Sequence, residues 1–215
     1  MYRVNIYDKI CYNSRRVCQL IRGTFRYTWR KKMHAIIFCG KGVTIRNTRY
    51  LSLRGKLKLE DHVEIDALSI NGIQFGDNVK VGRYTSIRAS NHYRMPGRGV
   101  KIGNNFSCGD FSFFGCAGGI SIGNDVMMGQ NIRFHAQNHN FEDMDLLLRE
   151  QGTTSKGITI GNNCWVGSGT VFLDGSSIGD GCVVGANSLV TKSFPDNCII
   201  MGQPAKIIRY RGEKF

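Results

Sequence analysis

The chain has 215 residues, of which 41% are hydrophobic and 21% charged, with a formal net charge of +13. That length and balance exclude a disordered tail and suit one folded domain with a substantial core, while the charge asks for an anionic partner. The eight cysteines form no C-x-x-C pair, which argues for buried thiols in a reducing compartment over disulfides or zinc. The sequence shows no signal-peptide pattern and no apolar run of the ~20 residues that a membrane span needs. A cytoplasmic location is expected.

Residues 1–33 carry Arg3, Lys9, Arg15, Arg16, Arg22, Arg26, Arg30, Lys31 and Lys32 against the single acid Asp8, and so hold +8 of the net charge. Val17, Leu20, Ile21, Thr24 and Phe25 fall at helical spacing, which predicts one or two basic amphipathic helices. Such a segment could cap the open first coil of a repeat scaffold. The sharper alternative is that it lies on an anionic membrane surface. No nucleic-acid-reading motif accompanies the charge, and no nucleic-acid partner is expected.

From Leu53 onward a period of six takes over. Bulky residues recur as Leu53, Leu59 and Ile65, then Phe75, Val81 and Ile87, then Ile102, Cys108 and Phe114, then Ile122, Met128 and Phe134. The run Ile160, Val166, Phe172, Ile178, Val184, Val190 is unbroken, with small residues or thiols four places after the first five: Cys164, Thr170, Ser176, Cys182 and Ser188. Helices and ordinary strands have periods near 3.6 and 2, so a period of six marks a parallel β-helix. The bulky residue points into a narrow prism, and the Gly that often follows it allows the corner. The hexads group into six sets of three, predicting about six triangular coils. The expected division is a basic helical cap over 1–45, the β-helix over 46–200 with a long loop at 135–158, and a C-terminal tail over 201–215.

Every break in the period follows a third hexad, which stacks the insertions on one edge of the prism beside a rigid scaffold. The longest lies between Phe134 and Ile160 and contains His135-Ala-Gln-Asn-His139-Asn-Phe-Glu-Asp143. A neutral imidazole beside carboxylates suits general-base work near pH 7. By repeat count His139 ends its face just before the chain leaves the prism, so the scaffold should hold it.

Residues from about 100 to 210 resemble the hexapeptide-repeat acyltransferases, in the maltose/galactoside and cell-surface polysaccharide O-acetyltransferase branch. The resemblance rests on Asn138-His-Asn-Phe141, Gly152-Thr-Thr-Ser-Lys156, Ile160-Gly-Asn-Asn-Cys-Trp-Val-Gly167, Ile178-Gly-Asp-Gly-Cys-Val-Val-Gly-Ala186, Leu189-Val-Thr-Lys192 and Gly202-Gln-Pro-Ala-Lys206. It implies an all-β, left-handed parallel β-helix, a hand that most parallel crossovers do not take. It also implies acetyl transfer from acetyl-CoA to a sugar hydroxyl in surface polysaccharide biosynthesis, by a homotrimer whose sites lie between prisms. His139 matches the catalytic base and Trp165 the acceptor-lining aromatic. Ser168, Ala186, Thr191, Lys192, Lys206 and Arg209 match positions that hold CoA. Where many relatives of the maltose type have an acceptor-contacting Asn, this chain reads Cys108-Gly-Asp110, making Asp110 the candidate replacement. No metal is expected. Two further readings keep the fold: a different small acceptor, such as serine or a xenobiotic, or a zinc hydratase using His92, His135 and His139 from adjoining subunits.

Overall fold

The computed structural model describes residues 5–27, 35–89 and 94–213, apart from the side chain of Arg26. Helix α1 (Ile6–Tyr27) is followed by strands β1 (Ala35–Cys39), β2 (Thr44–Arg46) and β3 (Leu51–Leu53), one on each face of a triangular prism. Later strands stack on these three in order, giving parallel sheets of nine, seven and seven strands. The nine-stranded first face includes one antiparallel strand at its far end. The result is a left-handed parallel β-helix. It has seven coils, one more than the hexad sets suggest, because β1 and β2 precede the first set and Ser193–Phe194 completes the last coil.

Stacking in register explains the sequence columns. Each bulky hexad residue meets its counterpart one coil away, so Phe114, Phe134 and Phe172 share one register position with ring centroids 4.9 Å apart at both steps. All three are fully buried. The small column (Cys164, Thr170, Ser176, Cys182, Ser188) is buried beside them, and in earlier coils the position of Cys164 is filled by the larger Phe106 and Val126.

The corner glycines have a different reason from the one the sequence suggests. Gly161 does not take a left-handed conformation; Asn163, two residues on, does, at φ 53°. A Cβ on Gly161 would instead sit 2.6 Å from the backbone nitrogen of Asp180 in the next coil. Close approach of stacked turns, and not backbone freedom, requires glycine there. The neighbouring Asn or Asp then braces the stack. On the edge between third and first faces, Asn104, Asn124, Asn162, Asp180 and Asp196 each accept the backbone N–H of the preceding coil at 2.6–2.9 Å.

Helix α1 lies across β1, the edge strand of the first face. Gly23 comes so close that a Cβ there would meet the Ile37 carbonyl. Gln19 and Tyr27 are buried against the prism, and Arg22 Nε donates to the Cys39 carbonyl at 3.0 Å. Lys58 (3.0 Å) and Arg16 (3.4 Å) surround the Glu60 carboxylate. Burial pushes the Glu60 pKa up, but Lys58, Arg16 and Gln19 outweigh it and hold the group below its ordinary value. The boundary expected at 45 therefore moves back, because β1 and β2 are already prism. The expected tail is also structured: Cys198–Gly202 pairs with Ala205–Tyr210, which folds back antiparallel on the last coil.

Between the prism strands, the long connections at 66–73, 88–100, 115–120 and 135–158 leave the edge between the second and third faces. The longest is closed at its root by an antiparallel pair, Asn138–His139 against Thr153–Thr154.

Candidate active site

His139 does not end its face as the repeat count suggests. The chain leaves the second face at His135, and His139 sits beyond it on the first strand of that root pair, held by the loop's own pairing and not by a coil. Backbone pairing to Thr153 fixes its position. Around it the loop is braced by its own polar groups. Asn140 Nδ2 donates to the Gln151 carbonyl at 2.8 Å, and Gln151 Nε2 donates to the carbonyls of Asp143 (2.7 Å) and Leu146 (3.0 Å). The returning strand is pinned by Asp174, whose carboxylate accepts the N–H groups of Lys156 and Gly157 at 2.8–2.9 Å. Sequence reasoning missed Gln151 and Asp174. Only the Asp174-Gly175 corner, a turn signal at the end of a hexad, hints at the second.

The His139 imidazole is exposed and opens on a cavity of 510 Å³ lined by loop residues that include Phe141, Glu142, Asp143 and Gln151. His135 differs. It faces outward from the second face, 5.8 Å from the Phe113 ring. Burial and the nearby Arg133 guanidinium hold its pKa below the ordinary value, so it is neutral at pH 7. His92 lies outside the described residues. Among the described residues no three His, Cys, Asp or Glu side chains converge as metal ligands, so a three-histidine centre would need His92 or a second copy.

The other candidates fall into two groups. Thr191 and Lys192 turn the same edge as the His139 loop, two coils further on, and Lys192 Nζ lies 5.6 Å from the Phe194 ring. Trp165 projects from the first face, 56% exposed, in register between Met127 and Val183. Asp110, Ser168 and Ala186 form the edge between first and second faces. Two of these also serve the scaffold: Asp110 Oδ1 accepts the Arg83 N–H at 2.8 Å and Ser168 Oγ the Gln130 N–H at 3.1 Å. Lys206 and Arg209 lie on the final antiparallel strand. Arg209 Nη1 donates to the carbonyls of Tyr210 and Glu213.

In a triangular prism the edge bearing His139 and Lys192 is opposite the face bearing Trp165. One chain therefore does not bring the two groups together. The His139 edge also carries a groove of 630 Å³, lined by Gly72, Gly99, Gly119, Gly157 and Gly175 and by the cations Arg98, Lys101 and Lys156. These five glycines have φ between 71° and 97°, which leaves the backbone bare along the groove.

The family described as bacterial transferase hexapeptide (six repeats) matches residues 157–192. A lipopolysaccharide biosynthesis O-acetyl transferase of Escherichia coli K12, WbbJ, a name given there by inference, is 32% identical over 145 residues, covering 64% of this chain and 71% of that protein. The galactoside O-acetyltransferase of the same organism is 40% identical over 91 residues, 42% of this chain and 43% of the relative. Among solved structures, a maltose O-acetyltransferase from Clostridium difficile 630 superposes with a TM-score of 0.56 at 28% identity, over 67% of this chain and 70% of that one. The chain spans half or less of the length of several of the curated relatives it matches.

Proposed function

The chain belongs to the hexapeptide-repeat transferases, and from that premise we propose that it moves an acetyl group from acetyl-CoA to a hydroxyl of a sugar, in a surface polysaccharide or its precursor. The observation that carries this reading is the division of the candidate residues between two sides of the prism. His139, Thr191 and Lys192 supply one half of a site, and Trp165, Asp110, Ser168 and Ala186 supply the other. The halves meet when the loop edge of one copy lies against the first face of the next. A heterologous contact whose rotation closes makes a ring, the arrangement of the homotrimer that the resemblance implies.

In that site the His139 imidazole takes the proton of the acceptor hydroxyl as its oxygen attacks the thioester carbonyl. The tetrahedral intermediate collapses by breaking the C–S bond. The proton on the imidazolium passes to the departing sulfur, giving CoA thiol and the O-acetyl ester. Trp165 offers an aromatic face to a sugar ring. Lys192 and Lys206, with Arg209, supply the cations for the cofactor's phosphates, and the glycine groove admits a narrow chain such as the pantetheine arm. The exposed Phe141, Met144, Leu146, Leu147 and Leu148 of the long loop are apolar surface that a neighbouring copy would cover. The setting that fits this chemistry is the cytoplasmic face of the membrane, where polysaccharide precursors are built.

Turnover of acetyl-CoA, followed as free thiol against a panel of sugars, serine and xenobiotic alcohols, tests the reading. Release that depends on a glycoside hydroxyl supports it. Release with serine alone, or none with any acceptor, overturns the sugar assignment.

A further inference from the structure

The face of α1 that packs on the prism is not its apolar face. The side turned inward carries Arg16, Gln19, Gly23 and Tyr27. The stripe Ile6, Ile10, Val17, Ile21 and Phe25, with Tyr7 at its flank, points away, and every member is at least half exposed, up to 85% at Phe25. Spaced at three, four and seven residues, these side chains share one side of the helix. The stripe runs almost its whole length, about 30 Å at 1.5 Å per residue. A monomer has no use for so long an apolar band in water.

Charge identifies what covers it. Lys9 lies on the helix, Arg3 precedes it, and Arg30, Lys31 and Lys32 follow it in sequence. A second copy would bring another +8 segment against the first and be repelled. A lipid surface bearing negative headgroups satisfies both the apolar stripe and the basic sequence that carries it. No helix of the described residues is long and apolar enough to cross a membrane, so the fitting mode is a helix lying in the interface.

We propose that α1 is a membrane-docking helix, its outward stripe sunk into the headgroup–acyl boundary of an anionic bilayer and its inward face rooted on β1 and Glu60. The rooting makes the docking firm: the prism is held at the surface by Gly23, Gln19 and the Glu60 ion pairs. The proposal deepens the polysaccharide reading by placing the enzyme beside lipid-linked acceptors, but it stands on the helix alone.

Sedimentation of the full chain with vesicles tests it, using phosphatidylcholine alone and phosphatidylcholine with phosphatidylglycerol, at low and high salt. The protein should bind the anionic vesicles, and salt should weaken binding without abolishing it, because the apolar contribution is not screened. The exposed double substitution Ile10→Glu and Ile21→Glu should lower the partition coefficient at least tenfold while leaving the helical circular dichroism and the mass in solution unchanged. Three results would overturn the proposal. They are no binding by the native chain, equal binding by the double variant, or a change of oligomeric mass in the variant, which would show that the stripe is covered by another copy. Turnover of a soluble acceptor in the absence of vesicles is a separate readout, so loss of docking and loss of the acetyltransferase reading are distinguishable.

Discussion

Two histidines four residues apart have different surroundings, and their roles should separate accordingly. His139 opens on the loop cavity, whereas His135 packs by Phe113 on the second face. His139→Ala should lower kcat by about 10²–10⁴-fold, the usual loss when a general base is removed, with acetyl-CoA binding by calorimetry nearly intact. His135→Ala should cost less than tenfold; equal losses would assign the base wrongly. Lys192→Ala should raise KM for acetyl-CoA more than for its 3′-dephospho analogue, since one phosphate contact is lost; equal effects on the two would move Lys192 away from that phosphate. The motif around His139 was legible in the sequence, but its bracing was not. Gln151 acts through main-chain groups of its own irregular loop and Asp174 through those of Lys156 and Gly157, about one coil earlier, and no spacing rule records such partners.

At the scale of elements, the hexads were readable because coils that stack in register force every sixth side chain inward. The first coil escaped because only Cys39 and Ile45 precede an insertion, too few to show a period. Which way α1 faces was not legible either. Periodicity reveals a stripe, yet here close backbone approach at Gly23 and the polar anchor at Glu60 outweigh the burial of that stripe on the prism. Gly23→Ala sets two effects against each other. Alanine favours the helix by about 1 kcal/mol, but its Cβ would collide with the Ile37 carbonyl, and forced overpacking costs about 1–3 kcal/mol. Because the obstacle is backbone and cannot swing aside, the clash should win. Thermal melting should show a lower Tm for the variant, and a higher one would mean that the helix does not sit tightly on β1.

For the whole molecule, the division of the candidate site makes a prediction that no single chain could meet. His139→Ala leaves the Trp165 side intact, and Trp165→Ala leaves the His139 side intact. Mixed in equal amounts during refolding or co-expression, two inactive variants should recover activity at about a quarter of the native sites, if copies pair at random in a heterologous ring. No recovery, with mixed assemblies confirmed by mass, would place the whole site within one chain.

The two ends of the prism have a consequence of their own. A parallel β-helix finishes at each end in a row of strands whose hydrogen-bonding groups have no further coil to meet, the kind of template on which another chain can add. On the first face neither end is bare: α1 lies over β1, and Ala205–Tyr210 turns back antiparallel beside Cys198–Gly202. An identical prism arriving end-on would have to match a parallel strand to a helix at one end or to a reversed strand at the other. These two coverings act as stoppers against polymerisation. A fold whose repeat could in principle extend indefinitely into a fibre is thereby denied a matching edge on one of its three faces.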